Sequence, residues 1–319
     1  MLAAFHAARY HFDLKAIDVL HMPAYQGSTF RGGFGHSFKQ LVCFQADWKA
    51  CTPCVRRNDC PYGYIFETTA PPDGPDLHHL HEIPSPFVIE APSDEQRVYQ
   101  PGERLGFDLV LIGRAISYLP YMLMAFQNLG RAGVGQPRGR YALQRISMMH
   151  PWRDEQALVF DGVDIALGGH DVSVHWDDVA AYATTLPTDS ITLRFLTPTR
   201  VKYQQAYVVQ PAFHVLMRAL LRRLSALLLF HCGTAFTGDP RALIAAAEQV
   251  VITRSNVRWV DWERFSGRQR QRMILGGFVG DITYQGDLTP FRELLAAGML
   301  VHVGKAAVFG HGRYQVVEE

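Results

Sequence analysis

Gly130-Arg-Ala-Gly-Val-Gly-Gln-Pro-Arg-Gly-Arg-Tyr141 and His302-Val-Gly-Lys-Ala-Ala-Val-Phe-Gly-His-Gly-Arg-Tyr314 are glycine-rich segments that end alike. Each closes on Gly-Arg-Tyr, each follows a stretch of helical periodicity (Ala115–Leu129, Leu288–Ala297), and each precedes an apparent strand. Earlier in each half stand further strands, over residues 5–14 and Leu105–Ile112 in the first and Ile191–Leu196 and Gly276–Gln285 in the second. Phe87–Glu90 adds a short strand, and Pro211–Phe230 and Arg241–Val250 read as helices. A shared ending in a shared context predicts an internal duplication. The unit reads strand–helix–strand–strand–helix–loop–strand, the ferredoxin-like pattern. The predicted fold is α+β, with two tandem ferredoxin-like (RRM-like) domains at 1–175 and 186–319 and a boundary between Asp161 and Thr188.

The 319 residues suffice for two such cores, and 48% hydrophobic against 19% charged residues describes a globular chain. A net charge of +1 excludes a polycationic nucleic-acid coat and leaves room for a local basic groove. The basic set is nearly all arginine, whose forked guanidinium grips phosphate bidentately. The longest apolar run, Ser225–Phe230, is far short of the ~20 residues a membrane span needs. Residues 1–10 lack the basic start and apolar core of a secretory signal, so the expectation is a cytoplasmic protein without a membrane partner.

Four of the five cysteines cluster as Cys43-x7-Cys51-x2-Cys54-x5-Cys60. In a reducing compartment that favours metal over disulfides, and the Cys51–Cys54 spacing suits a zinc turn. The predicted site is a structural zinc, preferred over an iron–sulfur cluster, that staples an insertion at 43–60 of the first domain; four thiolates leave no open position for catalysis. His78, His79 and His81 read as a surface patch. Gly304-Lys305-Ala306 lacks the Ser or Thr that a nucleotide-hydrolysing loop needs for magnesium, which excludes that class. Glycine-rich backbone can still present N–H groups to an RNA phosphate, and the alternative is a tight hairpin that needs positive φ. Between Arg254 and Arg272, arginines including Arg268, Arg270 and Arg272 interleave with Trp259, Trp262 and Phe265, a composition suited to phosphate contact and base stacking. In Arg31-Gly-Gly-Phe-Gly-His-Ser-Phe-Lys39, His36 is expected at the start of a helix behind glycines. Histidine is the residue type that exchanges protons near neutrality, and Lys39, one turn on, would meet phosphate charge.

These residues together resemble a family. Phe30-Arg-Gly-Gly-Phe-Gly-His36, the cysteine cluster running into Tyr64-Ile-Phe-Glu67, and Ile191-Thr-Leu-Arg-Phe-Leu-Thr-Pro-Thr-Arg200 are similar to the CRISPR-associated repeat-processing endoribonucleases of the RAMP superfamily. So are Asp261-Trp-Glu-Arg-Phe-Ser-Gly-Arg-Gln269, Leu275-Gly-Gly-Phe-Val-Gly280, and the span from His302 through Tyr314. The resemblance implies tandem ferredoxin-like domains and cleavage of CRISPR repeat RNA without a catalytic metal. The ribose 2′-OH would attack the adjacent phosphate and leave a 2′,3′-cyclic phosphate and a 5′-OH. It implies His36 as base or acid, Lys39 as charge stabiliser and Tyr25 as an orienting group, with His302 and His311 as rivals for the histidine role. Arg31, Gly304, Lys305, Gly310, Gly312 and Arg313, aided by Arg268, Arg270 and Arg272, would hold the RNA. Other CRISPR effector subunits are further expected partners, and a non-cutting RNA-binding subunit of an effector complex is the alternative function.

Overall fold

The computed structural model describes residues 1–44, 51, 54–56, 59–69, 83–92, 96–166, 170–266 and 271–317, with only the backbone at 263–266 and 271–274. Among the described residues no helix is long and apolar enough to cross a membrane. The chain forms two compact units. The N-terminal unit holds His6–Val174 and Leu229–Gly233, and the C-terminal unit holds Met1–Phe5, His175–Leu228 and Thr234–Glu319.

In chain order the N-terminal unit contains β1 (His6–Ala16), α1 (Gln26–Val42), α2 (Pro61–Phe66), β2 (Phe87–Glu90), β3 (Arg104–Ile112), α3 (Leu119–Ala132), β4 (Tyr141–Met149) and β5 (Gln156–Phe160). Its antiparallel sheet runs β2-β3-β1-β4-β5. Along β1, Tyr10, Phe12, Leu14 and Ala16 are buried, whereas Arg9, His11, Asp13 and Lys15 alternate on the open face. The helices cover the buried face with stacked phenylalanines: Phe12–Phe107 at 4.9 Å, Phe30–Phe107 at 4.7 Å and Phe34–Phe126 at 4.7 Å between centroids. Each ring fully buried in this way contributes roughly 1.5–3 kcal/mol.

One expectation is corrected here. The glycines of Arg31–Gly35 form no turn; they lie inside α1, which makes His36 its eleventh residue rather than its start. A Cβ at Gly33 would sit 2.5 Å from a Leu129 methyl, so this glycine serves close approach of α1 to α3.

The C-terminal unit contains α4 (Trp176–Thr185), β6 (Ser190–Thr199), β7 (Val201–Tyr203), β8 (Ala206–Val208), α5 (Phe213–Leu227), α6 (Pro240–Ala247), β9 (Val251–Val260), β10 (Gly277–Gln285), α7 (Arg292–Val301) and β11 (Tyr314–Val317). Its antiparallel sheet runs β9-β10-β6-β11. If each unit's repeated strands are counted one to four (β1, β2, β3, β4 and β6, β9, β10, β11), both sheets read two-three-one-four. Strand β6 runs past Leu196, the end expected from sequence, and continues through Pro198. A register shift between Phe278 and Gly280 carries the ladder past the proline to Thr199. Strand β9, read from sequence only as an arginine–aromatic segment, is an edge strand with Arg254, Asn256 and Arg258 exposed. A short hairpin, Glu263–Ser266 with Gln271–Ile274, follows it.

Candidate nucleic-acid interface

The glycine-rich loops occupy the same place in each unit, between the last helix and the last repeated strand. Tyr141 pairs with Ala16 on β1, and Tyr314 pairs with Phe195 on β6. One residue on, Ile17 N–H donates to the Arg140 carbonyl and Leu196 N–H to the Arg313 carbonyl, both at 2.9 Å. Arg140 N–H donates to Asp18 Oδ2 at 3.1 Å, and Arg313 N–H to Thr197 Oγ1 at 3.0 Å. Val134 N–H reaches the Gly139 carbonyl at 2.8 Å, and Val303 N–H the Gly312 carbonyl at 3.0 Å. Gln136 N–H donates to the His21 carbonyl at 3.2 Å, and Lys305 N–H to the Arg200 carbonyl at 2.9 Å. Both buried tyrosines donate back to the preceding helix at 2.8 Å, Tyr141 to the Phe126 carbonyl and Tyr314 to the Leu295 carbonyl. Gly130 and Gly298 make room for them: a Cβ would lie 2.8 Å from the Tyr141 ring in one case and 2.2 Å from Tyr314 Oη in the other.

This geometry changes how the second loop can act. The amides of Lys305, Phe309, Gly310, Gly312 and Arg313 are all engaged inside the protein, so these five do not face a phosphate. Gly310 is buried and its carbonyl accepts the Thr197 hydroxyl at 2.8 Å. Arg223, drawn down to about 10 by burial, donates through Nε to the Val301 carbonyl at 2.7 Å and fixes the start of the loop. His302 and His311, the rival catalytic histidines, are fully buried. His302 Nδ1 lies 3.0 Å from the His311 carbonyl, and His311 stacks on Trp262 at 4.9 Å. The loop folds both inward, away from solvent.

What the loop presents is charge. The Lys305 side chain is exposed, and the carbonyl holding its amide belongs to Arg200, which leads into the β7–β8 hairpin. The Arg200 guanidinium lies 4.1 Å from the Tyr207 ring centroid. Tyr207 is 41% exposed and sits directly across the hairpin from exposed Lys202. Neither Arg200–His214 nor His302–Gln315 contains an acidic residue. Cations beside an open aromatic ring suit phosphate contact with base stacking. Sequence reading missed Arg200, Lys202 and Tyr207; the signal was the acid-free, tyrosine-bearing run after β6. Arg268 and Arg270, with the histidine patch at 78–81, lie outside the described residues, and Arg272 is described only as backbone in its strand.

On α1, His36 is exposed and Lys39 lies one turn on. Phe34 and Phe38 beside them are buried and hold the helix against the core. The Lys39 ammonium sits 5.1 Å over the Tyr62 ring and approaches Cys51, which turns it toward the cysteine segment. Arg31 lies 5.0 Å over Phe66. Tyr25 is the N-cap residue of α1, and burial together with the Glu90 charge pushes its phenol well up, so it stays protonated. Cys54 N–H donates to the Cys51 carbonyl at 3.0 Å, the turn a zinc site uses, and burial raises the Cys51 thiol. Cys43, Cys51, Cys54 and Cys60 are free thiols, half-buried, and among the described residues no three His, Cys, Asp or Glu are gathered as a metal shell requires.

The open face of the N-terminal sheet carries a network that sequence reading also missed. Arg9 bridges Glu90 at 2.7 Å and Asp108, while His11 Nδ1 lies 2.6 Å from Asp108 Oδ1. Their spacing along β1 was visible, but their partners come from β2 and β3. The hydrogen bond to Asp108 raises the His11 pKa against the opposing effect of burial. The folded protein therefore keeps a proton on His11 at pH values where the unfolded chain has released it. This contribution is complete below the ordinary imidazole value of about 6.5 and is lost as pH rises through the raised one. The thermal midpoint should fall across that window in the wild type, and His11→Gln should remove that part of the slope; circular-dichroism melts at a series of pH values test it.

Comparison with known proteins follows the same division. Residues 5–170 match an N-terminal domain family, AF_1859_N, and residues 193–314 match the CRISPR-associated endoribonuclease Cas6 family. An uncharacterized protein of Archaeoglobus fulgidus is 27% identical over 127 residues, which are 40% of this chain and 41% of that protein. The chain thus spans about two fifths of the length of the curated relative it matches. Among solved structures, Thermus thermophilus Cas6 is similar at a TM-score of 0.54 and 17% identity, over 99% of this chain and 100% of that one. A Cas6 product complex gives 0.57 and 15%, over 98% and 99%. A partial Cas6-RT-Cas1–Cas2 complex gives 0.60 and 12%, over 99% of this chain and 46% of that one. An AF_1859_N domain thus spans the first half of the chain, and a Cas6-type CRISPR-associated domain spans residues 193–314.

Proposed function

We propose that this chain is an endoribonuclease that binds CRISPR repeat RNA and cuts it to mature guide RNAs. The observation that carries this reading is the grouping of Arg200, Lys202 and exposed Tyr207 with the Lys305 loop, on two segments without acidic residues inside the Cas6 match. The two units are read as tandem ferredoxin-like domains, the first bearing the cysteine-rich insertion. The cut proceeds by attack of the ribose 2′-OH on the adjacent phosphorus. The P–O5′ bond breaks as the new P–O2′ bond forms, giving a 2′,3′-cyclic phosphate and a 5′-OH. One group must take the 2′-OH proton, one must give a proton to the leaving oxygen, and a cation must meet the phosphorane charge. Exposed His36 is assigned proton transfer, Lys39 the charge, and the protonated Tyr25 phenol an orienting hydrogen bond. None of these roles calls on a catalytic metal. Other CRISPR effector subunits are proposed as further partners.

Incubating the protein with its cognate repeat RNA in EDTA tests the reading. The expected result is one cut with a cyclic-phosphate end. RNA held without a cut supports the alternative, a non-cutting effector subunit; neither cutting nor binding overturns both. The zinc on Cys43, Cys51, Cys54 and Cys60 is also a proposal. It is supported by the Cys51–Cys54 turn and would require the four thiols to draw together. Elemental analysis of the same preparation checks it.

A further inference from the structure

The N-terminal unit repeats the loop but not its charges. In the matched hydrogen bonds, Gln136 stands where the C-terminal unit has Lys305, and His21 where it has Arg200. A comparison restricted to those positions would call the first loop inert. The charge has moved by two residues: Arg138 is exposed on the loop, and Gly133, against which Arg138 packs, follows exposed Arg131 on the last turn of α3. Arg131 donates to the neutral Asn128 Oδ1 at 3.1 Å. Arg140 is paired with Asp18 at 2.8 Å. From Leu109 to Arg153 the chain has six arginines and no acidic residue. The loop backbone is as tightly fixed as its counterpart, since a Cβ at Gly135 would lie 2.2 Å from the His21 carbonyl oxygen. Fixed backbone with projecting cations that have no acidic partner among the described residues positions a polyanion without reading its bases.

We propose that Arg131 and Arg138, carried by the first glycine-rich loop and the helix end beside it, form a second contact site for the RNA backbone. The site rests on the RNA-binding reading above and extends it to the N-terminal unit. Each phosphate contact releases counterions, so its loss reads out as a shallower salt dependence of binding.

The test is a fluorescence-anisotropy titration of dye-labelled single-stranded repeat RNA over a series of salt concentrations. An Arg131→Ala/Arg138→Ala protein should bind more weakly at low salt, and its slope of log affinity against log salt should fall by about 1.4 for two contacts on single-stranded RNA. Arg131→Lys/Arg138→Lys should keep the wild-type slope, which distinguishes charge from packing. Thermal midpoints should match, since both side chains are exposed. If the alanine double variant keeps wild-type affinity and slope while Lys202→Ala/Lys305→Ala loses both, this site is overturned and the RNA-binding reading stands. If the wild type binds no RNA at any salt concentration, both fail.

Discussion

A His36→Ala protein is expected to cleave repeat RNA about 10²–10⁴-fold more slowly than wild type while binding it equally well, the range that removal of a positioned proton-transfer group produces. The site suits a clean test. His36 is exposed on a helix whose neighbouring Phe34 and Phe38 are buried, so its side chain contributes little to packing. Alanine is the better helix former there, so stability should hold or rise slightly. A loss of rate would then be chemical. Single-turnover cleavage at saturating protein measures it, with anisotropy for binding and Gln40→Ala, at an exposed neighbouring position of the same helix, as a control. Lys39→Ala should cost less, because the Lys39 ammonium lies over Tyr62 and faces Cys51. A His36→Ala protein cutting at the wild-type rate would pass the role to another group. His302 and His311 would need the loop to open first, since both are fully buried.

Part of this architecture is legible in the sequence. The repeated Gly-Arg-Tyr endings mark the corresponding loops because each tyrosine must reach back to a helix carbonyl past a glycine that clears its ring. The fuller correspondence is hidden by length: Gln136 and Gly139 are three residues apart, whereas Lys305 and Gly312 are seven apart. Only the backbone bonds bring Val134 against Val303 and Gln136 against Lys305 as equivalents. Glycine itself is ambiguous in one dimension. At Gly33 it serves helix contact and at Gly312 a left-handed backbone, and the letter is the same. Strand β9 escaped because an edge strand with Arg254, Asn256 and Arg258 exposed lacks the buried alternation that marks a half-covered strand. The burial of the loop histidines is hidden in the sequence because His311 stacks on Trp262, a partner some fifty positions away in the chain.

The largest effect on stability is expected at Gly312. Its φ is +74°, and a Cβ there would lie 1.8 Å from the Val303 carbonyl oxygen and 2.8 Å from its carbon. Neither atom can yield, because Val303 N–H donates to the Gly312 carbonyl at 3.0 Å and Gly312 N–H donates to the Pro198 carbonyl at 3.2 Å. Gly312→Ala therefore combines left-handed strain of about 1–2 kcal/mol with overpacking of about 1–3 kcal/mol. A loss of ~3 kcal/mol is expected, read as a lower denaturant midpoint at unchanged slope. Gly233 separates the two contributions: its φ is also +74°, but a Cβ there meets nothing within 4 Å. Gly233→Ala should show the strain alone, about 1–2 kcal/mol, and the difference between the variants isolates the clash. If the two cost the same, the approach of the Val303 carbonyl to Gly312 is not what constrains the loop. Gly139→Ala extends the argument to the other copy. Its Cβ would lie 2.4 Å from the Val19 carbonyl oxygen, and Val19 follows Asp18 as Pro198 follows Thr197. A destabilisation in that unit as well would mean that a backbone carbonyl crowds the closing glycine of each copy, that of Val19 in the first and that of Val303 in the second. It would also mean that the exposed loop cations of either unit sit on a frame that tolerates no side chain at its closing glycine.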